Sequence, residues 1–204
     1  MSGQDRPGGR HRGMVTALGL VQLIGWGSTF FLLAVLAEPI AQDTGWPIGW
    51  IVAGLSIALF ASGIAAPRVG DMIRHFGGRP MLIAACIILA SGLSTLALAP
   101  NIAVFLGGWL IIGLGMSMGL YDAAFATLGG ILGHGARRAI TTVTLWGGFA
   151  STLSWPLSAA LNDAVGWRWT IAIYAAAQIM VNLPLVLTFV PGNAGPGRGG
   201  TGPG

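Results

Sequence analysis

The sequence predicts an all-α membrane protein with six transmembrane helices. Three observations lead to this prediction: the composition is apolar, the charges are clustered, and the stretches between them have the length of membrane spans. Of the 204 residues, 54% are hydrophobic and 8% are charged, whereas a soluble domain carries about a quarter charged residues. Since backbone groups in lipid must be hydrogen-bonded within their own segment, each span is expected to be a helix.

Six long stretches of the chain contain no charged residue, and five of them exceed the roughly 20 residues that cross a bilayer core. The longest, residues 80–121, is too long for one span, and Pro100 and Asn101 in its middle are typical of a turn. It is therefore divided between two helices. The predicted spans are residues 14–37, 47–67, 80–99, 102–126, 139–162 and 168–190.

The spans form one domain, residues 14–190, between two terminal segments. Residues 1–13 are predicted to be a cytoplasmic segment and not a cleavable signal, because their basic start leads into a 25-residue uncharged stretch. Residues 191–204 contain seven Gly and three Pro and are predicted to be a disordered cytoplasmic tail. The single cysteine, Cys86, excludes a disulfide framework and a cysteine metal cluster.

The arginines predict the orientation. All ten basic residues are arginine, and only Arg168 falls on one side of the predicted membrane. Because short cytoplasmic loops gather positive charge, both termini are predicted to be cytoplasmic. The membrane is expected to be a bacterial inner membrane. No nucleic acid is expected as a partner, since these arginines form no stripe on a soluble face. The nine on the cytoplasmic side are Arg6, Arg10, Arg12, Arg68, Arg74, Arg79, Arg137, Arg138 and Arg198.

The segment between the second and third spans carries a family resemblance. Residues 70–80 read GDMIRHFGGRP, which resembles the loop signature of the major facilitator superfamily (MFS). The match is at Gly70, Gly77 and Arg79, whereas Arg74 stands where the family has an Asp. The resemblance implies a gating loop, to which Asp71, one turn before Arg74, would contribute the acidic group.

Further motifs extend the resemblance over residues 14–190. Residues 166–169, GWRW, resemble the family's sequence at the start of the sixth span, and residues 113–115, GLG, match glycines of its fourth. Residues 119–126, GLYDAAFA, resemble a bacterial branch related to carboxylate porters. The resemblance implies the N-terminal six-helix half of a transporter, built as two three-helix inverted repeats.

Four residues are candidates for binding a solute or a proton. Asp122 is the ionisable residue that lies well inside an apolar stretch, where a carboxylate is costly unless it is paired, hydrated or protonated. Tyr121 beside it could hydrogen-bond a solute, and Trp26 and Thr29 lie in a Gly-interrupted part of the first span. The alternatives are that Asp122 pairs with Arg137 or Arg138 and that the glycines only permit close helix contact.

The expected function is transport of a small solute, such as an organic acid, coupled to a proton. The expected partners are the lipid bilayer, the solute, H⁺ and a second six-helix half, supplied by a separate chain or by a homodimer. No cofactor or metal is expected. One alternative is a truncated remnant that transports nothing. A six-helix membrane enzyme is the weaker alternative, because Asp122 has no acid, base or nucleophile at a suggestive spacing.

Overall fold

A computed structural model of the protein describes residues 7–192, and within that range every regular element is a helix. Most of the predicted tail and the first six residues lie outside the described residues. A short 3-10 turn precedes α7, and one turn of π-helix, Gln178–Asn182, precedes α8. The α-helices are α1 Pro7–Ser28, α2 Leu32–Thr44, α3 Ile48–Phe76, α4 Gly78–Ala97, α5 Ile102–Gly119, α6 Tyr121–Leu132, α7 Ala136–Ala177 and α8 Leu183–Phe189.

The membrane class that the composition predicts is supported by the length of these helices. Five helical runs are long and apolar enough to cross a membrane. They are consistent with an integral membrane protein. Three of the runs join helices: α1 with α2, α5 with α6, and α7 with α8 through the π-helical turn. The five runs are His11–Thr44, Ile48–Phe76, Gly78–Ala97, Ile102–Leu132 and Ala136–Phe189.

The last run is not one straight helix. Gly166, inside α7, has φ 81° and ψ 166°, a conformation that glycine adopts without steric cost. The hydroxyls of Ser158 and Tyr174 lie 2.7 Å apart, although sixteen residues of continuous helix would separate them by about 24 Å. The chain therefore reverses at Gly166, and residues 136–165 run antiparallel to the residues that follow.

Several helix boundaries differ from the sequence prediction. The first and fourth spans were expected to end at residues 37 and 126, whereas their helical runs continue to Thr44 and Leu132. The first span was expected to begin at residue 14, whereas α1 begins at Pro7. The second was expected to end at residue 67, with residues 70–79 as a loop, whereas α3 continues to Phe76. Charged side chains at a helix end can extend into water, so the change from apolar to polar sequence marks the edge of the lipid and not the end of the helix.

The helices pack through two buried apolar clusters, one at each end of the bundle. In the first, Trp109 and Phe105 of α5 are fully buried. Close approach depends on glycine: a Cβ at Gly54 would overlap the Trp109 ring, and a Cβ at Gly113 would overlap the backbone of Ala58. Small residues at helix contacts are typical of membrane bundles, where van der Waals packing holds the helices together.

Candidate functional site

Two interrupted helices meet in the middle of the bundle. The α1–α2 run is broken at Thr29–Phe31, and the α5–α6 run is broken at Leu120, whose backbone is extended. Gln22 of α1 donates a hydrogen bond to the carbonyl oxygen of Gly119 at 2.9 Å. A Cβ at Gly25 would lie 3.3 Å from the Leu120 side chain, so the two breaks lie within about one helical turn of each other. Each break frees backbone groups that a continuous helix would pair.

An aromatic cluster surrounds these breaks. Trp26 lies 4.9 Å from Tyr121 and 5.6 Å from Phe30, measured between ring centroids, and Tyr121 stacks on Phe125 at 5.1 Å. All four side chains are half-buried. The indole N–H of Trp26 has no hydrogen-bond partner among the described residues, and the Tyr121 hydroxyl reaches the carbonyl oxygen of Thr144 only at 3.4 Å. The cluster is thus apolar, with two weakly bonded polar groups, of which the Trp26 N–H is buried.

Asp122 lies in the first turn of α6, beside Tyr121, with its side chain exposed on the surface of this chain. The alternative of pairing with Arg137 or Arg138 is not found, since within residues 7–192 the ion pair that forms joins Asp71 to Arg74. The carboxylate therefore remains open to a proton, a cation or another protein surface.

Thr29 does not join the aromatic cluster as a binding group. Its side chain is fully buried, and its hydroxyl donates a 2.7 Å hydrogen bond to the carbonyl oxygen of Gly25. This bond satisfies a carbonyl next to the break in α1 and so helps to end the helix. The structure thus brings Trp26, Tyr121 and Asp122 together, and gives Thr29 a structural position.

A buried chain of amide side chains lies behind the site. Gln178 donates to the hydroxyl of Ser28 at 2.9 Å, and Asn182 donates to the side-chain oxygen of Gln178 at 2.8 Å. Both residues belong to the π-helical turn before Pro184, which has no N–H to bond the carbonyl of Met180. The sequence marks these residues as polar groups in an apolar span but gives no sign that they form a chain.

We expect Gln178→Leu to destabilise the protein by about 1–3 kcal/mol, because it removes one buried hydrogen bond from each of Ser28 and Asn182. Asn182 then keeps only a 3.5 Å bond to the carbonyl oxygen of Val21. Gln42→Leu is the matched control: Gln42 is exposed and bonds only Glu38. Thermal unfolding of both variants in detergent measures the difference. Equal midpoints for the two variants would contradict the structural role of the chain.

The residues predicted to form a gating loop separate into two groups. Gly70, Asp71 and Arg74 lie on the last turns of α3, where Asp71 and Arg74 form an exposed ion pair. Gly77, with φ 86°, forms the joint to α4, and Arg79 donates to the carbonyl oxygen of Leu187 at 2.7 Å. A cavity of about 400 Å³ lies where Gly70 and Arg74 approach α6.

Comparison with known proteins does not place the chain in a family. No model of a known protein family matches the sequence. A search of curated proteins also found no match. The function is therefore inferred from the residues and from their geometry.

Proposed function

We propose that the protein is one six-helix half of a secondary transporter of the MFS type, which moves a small solute across the membrane together with a proton. The observation that carries this proposal is the pair of helix breaks in the middle of the bundle, where Trp26 and Tyr121 meet. Interrupted helices at the membrane midplane free backbone groups to bind solutes and ions, and transporters use such segments as binding sites.

We infer six membrane crossings, and the reversal at Gly166 supports this number because it divides the longest apolar run into two antiparallel helices. The α1–α2 and α5–α6 runs then count as one crossing each, and α3 and α4 supply the other two. An even number of crossings leaves both ends of the chain on the same side. Because most arginines lie at those ends and in the connections on that side, we infer that this side is the cytoplasm.

Three pairs of residues with a spacing of 89 support an inverted repeat, and with it the MFS proposal. Gly77 and Gly166 are 89 residues apart and share nearly the same backbone conformation, with φ 86° and 81° and ψ 166° at both. The first residues of α2 and α6, Leu32 and Tyr121, have the same spacing. So do Pro67 and Pro156, which lie inside α3 and α7. Each repeat would contain three membrane crossings. Because three is an odd number, the second repeat would have the opposite orientation in the membrane to the first.

Two arginines at equivalent positions of the repeat make reciprocal contacts. Arg79 follows Gly77 by two residues and donates to Leu187, near the end of α8. Arg168 follows Gly166 by two residues and donates to the carbonyl oxygens of Ala97 and Ala99, at the end of α4, at 2.9 and 3.2 Å. Each arginine therefore caps the final helix of the other repeat, where a positive charge is favourable.

Arg168→Gln is expected to lower the free energy of unfolding by about 1.5–3 kcal/mol, because charge-assisted hydrogen bonds to two helix-end carbonyls are lost. Arg74→Gln serves as the control, since the exposed Arg74–Asp71 pair is worth little. Thermal unfolding in detergent compares the two. If the midpoints fall equally, Arg168 does not act as a helix cap.

The exposure of Asp122 indicates how the solute site would be completed. The aromatic cluster is packed between α1, α6 and α7. The Asp122 carboxylate beside it lies on the exposed surface of the chain. We propose that a second six-helix half, from a separate chain or a second copy, closes the site over this face. The solute would be a small organic acid or a similar molecule, and Asp122 would bind the proton.

Uptake by reconstituted protein tests this function. Proteoliposomes with an alkaline interior are supplied with labelled small mono- and dicarboxylates and with neutral analogues of the same size. Accumulation of at least one solute, abolished by a protonophore, is expected. If no solute accumulates, although the protein is correctly inserted and a candidate second half is present, the result would favour the non-transporting remnant.

A further inference from the structure

The arginine-rich end of the bundle contains a basic cavity. It has a volume of about 490 Å³ and lies between the beginnings of α1 and α7, where His11, Arg12 and Arg138 line it together with Val15 and Leu132. An adjoining cavity of about 710 Å³ is lined by Arg137 and Arg138. No acidic residue within residues 7–192 lines either cavity.

The hydrogen-bonding groups of this region are suited to an anion. Thr141 and Thr142 donate their hydroxyl protons to the carbonyl oxygens of Arg137 and Arg138 at 3.0 Å. These bonds hold the first turn of α7, and the guanidinium groups remain as the donors that line the cavity. Guanidinium groups bind phosphate oxygens in charge-assisted pairs, and an anion would relieve the repulsion between arginines that converge on one space.

An apolar groove continues from the basic cavity. Thr142 lines both, and from it the groove, of about 280 Å³, follows α7 past Leu145, Trp146 and Phe149 to Leu153. From Thr142 to Leu153 the helix rises about 16 Å, which is close to the thickness of one leaflet of a bilayer core, about 15 Å. A basic cavity at the membrane edge, joined to an apolar groove of this length, matches a molecule with an anionic head and an acyl chain.

The groove does not belong to the proposed solute site. Tyr121 contacts α7 at the carbonyl oxygen of Thr144, whereas the groove reaches Leu153, nine residues further on. Nine residues correspond to about 900° of rotation, so Leu153 projects from the opposite side of the helix. A ligand in the groove and a solute at Tyr121 would therefore occupy different faces of α7.

We propose that this cavity and groove bind one anionic phospholipid, with its phosphate against Arg12 and Arg138 and one acyl chain along α7. The basic cavity alone would suit any phosphate, and the attached apolar groove favours a lipid as its source. Basic pockets between transmembrane helices are suited to anionic headgroups. The inference requires the chain to lie in a membrane and does not depend on transport.

Native mass spectrometry of the purified full chain in detergent tests the inference. The chain is titrated separately with phosphatidylglycerol, phosphatidylcholine and inorganic phosphate. The double variant Arg12→Gln/Arg138→Gln is expected to bind phosphatidylglycerol about thirtyfold more weakly, at about 1 kcal/mol for each arginine. Either cavity substitution alone is expected to weaken binding about fivefold. The control Arg68→Gln/Arg74→Gln removes the same charge as the double variant, but outside the cavity lined by Arg12. It is expected to weaken binding less than about fivefold.

Three outcomes overturn the proposal: equal binding of phosphatidylglycerol and phosphatidylcholine, equal losses in the two double variants, or displacement of the lipid by inorganic phosphate at equal concentration. The last result would assign the cavity to a free anion. Circular dichroism checks that each variant is folded. If the cavity double variant does not fold, the single variants Arg12→Gln and Arg138→Gln carry the same test with the smaller effect.

Discussion

Replacing Asp122 with Asn is expected to reduce proton-driven solute accumulation in proteoliposomes to the level of protein-free vesicles. A carboxylate can bind and release a proton during each transport cycle, whereas an amide of the same shape cannot. Exchange of labelled for unlabelled solute requires no net proton movement, so it is expected to continue in the variant. The comparison of accumulation with exchange separates loss of coupling from loss of solute binding.

Asp163→Asn is the matched control for this substitution. Asp163 is also an exposed acidic residue, but it lies next to the reversal at Gly166, at the other end of the bundle from Arg12 and Arg138. Its replacement is expected to leave accumulation unchanged. Membrane insertion of both variants is compared by quantitative immunoblot. Proton-driven uptake by Asp122→Asn at the wild-type rate would remove Asp122 from the proposed mechanism.

Gly113→Val is expected to destabilise the folded bundle by about 3 kcal/mol, which is at the upper end of the cost of overpacking a core. A Cβ at Gly113 would meet the backbone of Ala58. Backbone atoms cannot rotate away as a flexible side chain can, so α3 and α5 would have to separate. The separation would also disturb the contact between Trp109 and Gly54 on the same two helices.

Gly107→Val provides the control on the same helix, because a Cβ at Gly107 would meet nothing within 4 Å. Both substitutions replace glycine with the same β-branched residue, so their difference reports the contact with α3. Unfolding in increasing concentrations of a denaturing detergent gives the two midpoints. A Gly113→Val midpoint equal to that of Gly107→Val would show that the close approach of α3 and α5 does not stabilise the bundle.

The positions of the helices were largely predictable from the sequence, because apolar length and charge follow directly from the composition of each segment. The helix ends were less predictable. The apolar pattern ends near Pro67, but α3 continues to Phe76 because the chain between them contains no turn signal strong enough to end a helix. The joint is instead Gly77, the residue whose positive φ a helix cannot continue through.

The candidate site was predicted in part. Trp26, Tyr121 and Asp122 were selected one by one, as unusual residues inside apolar spans. Their meeting depends on the break at Leu120, which directly follows Gly119. A single glycine does not predict such a break, since Gly113 and Gly115 lie inside continuous helix in the same span. Thr29 was selected for the same reason as Trp26, but its hydroxyl bonds the helix backbone.

The sequence by itself determined the class of this protein, its helical segments and the side of the bundle that carries the arginines. These properties depend on local composition, because a segment in lipid must be apolar over the thickness of the bilayer core and must pair its own backbone groups. Only the tertiary structure decided that the breaks in α1–α2 and α5–α6 are adjacent, that Arg79 and Arg168 reach helices about 70 to 110 residues away in the chain, and that the basic cavity continues into a groove. Such contacts depend on which helix faces meet, and packing of the whole bundle sets them.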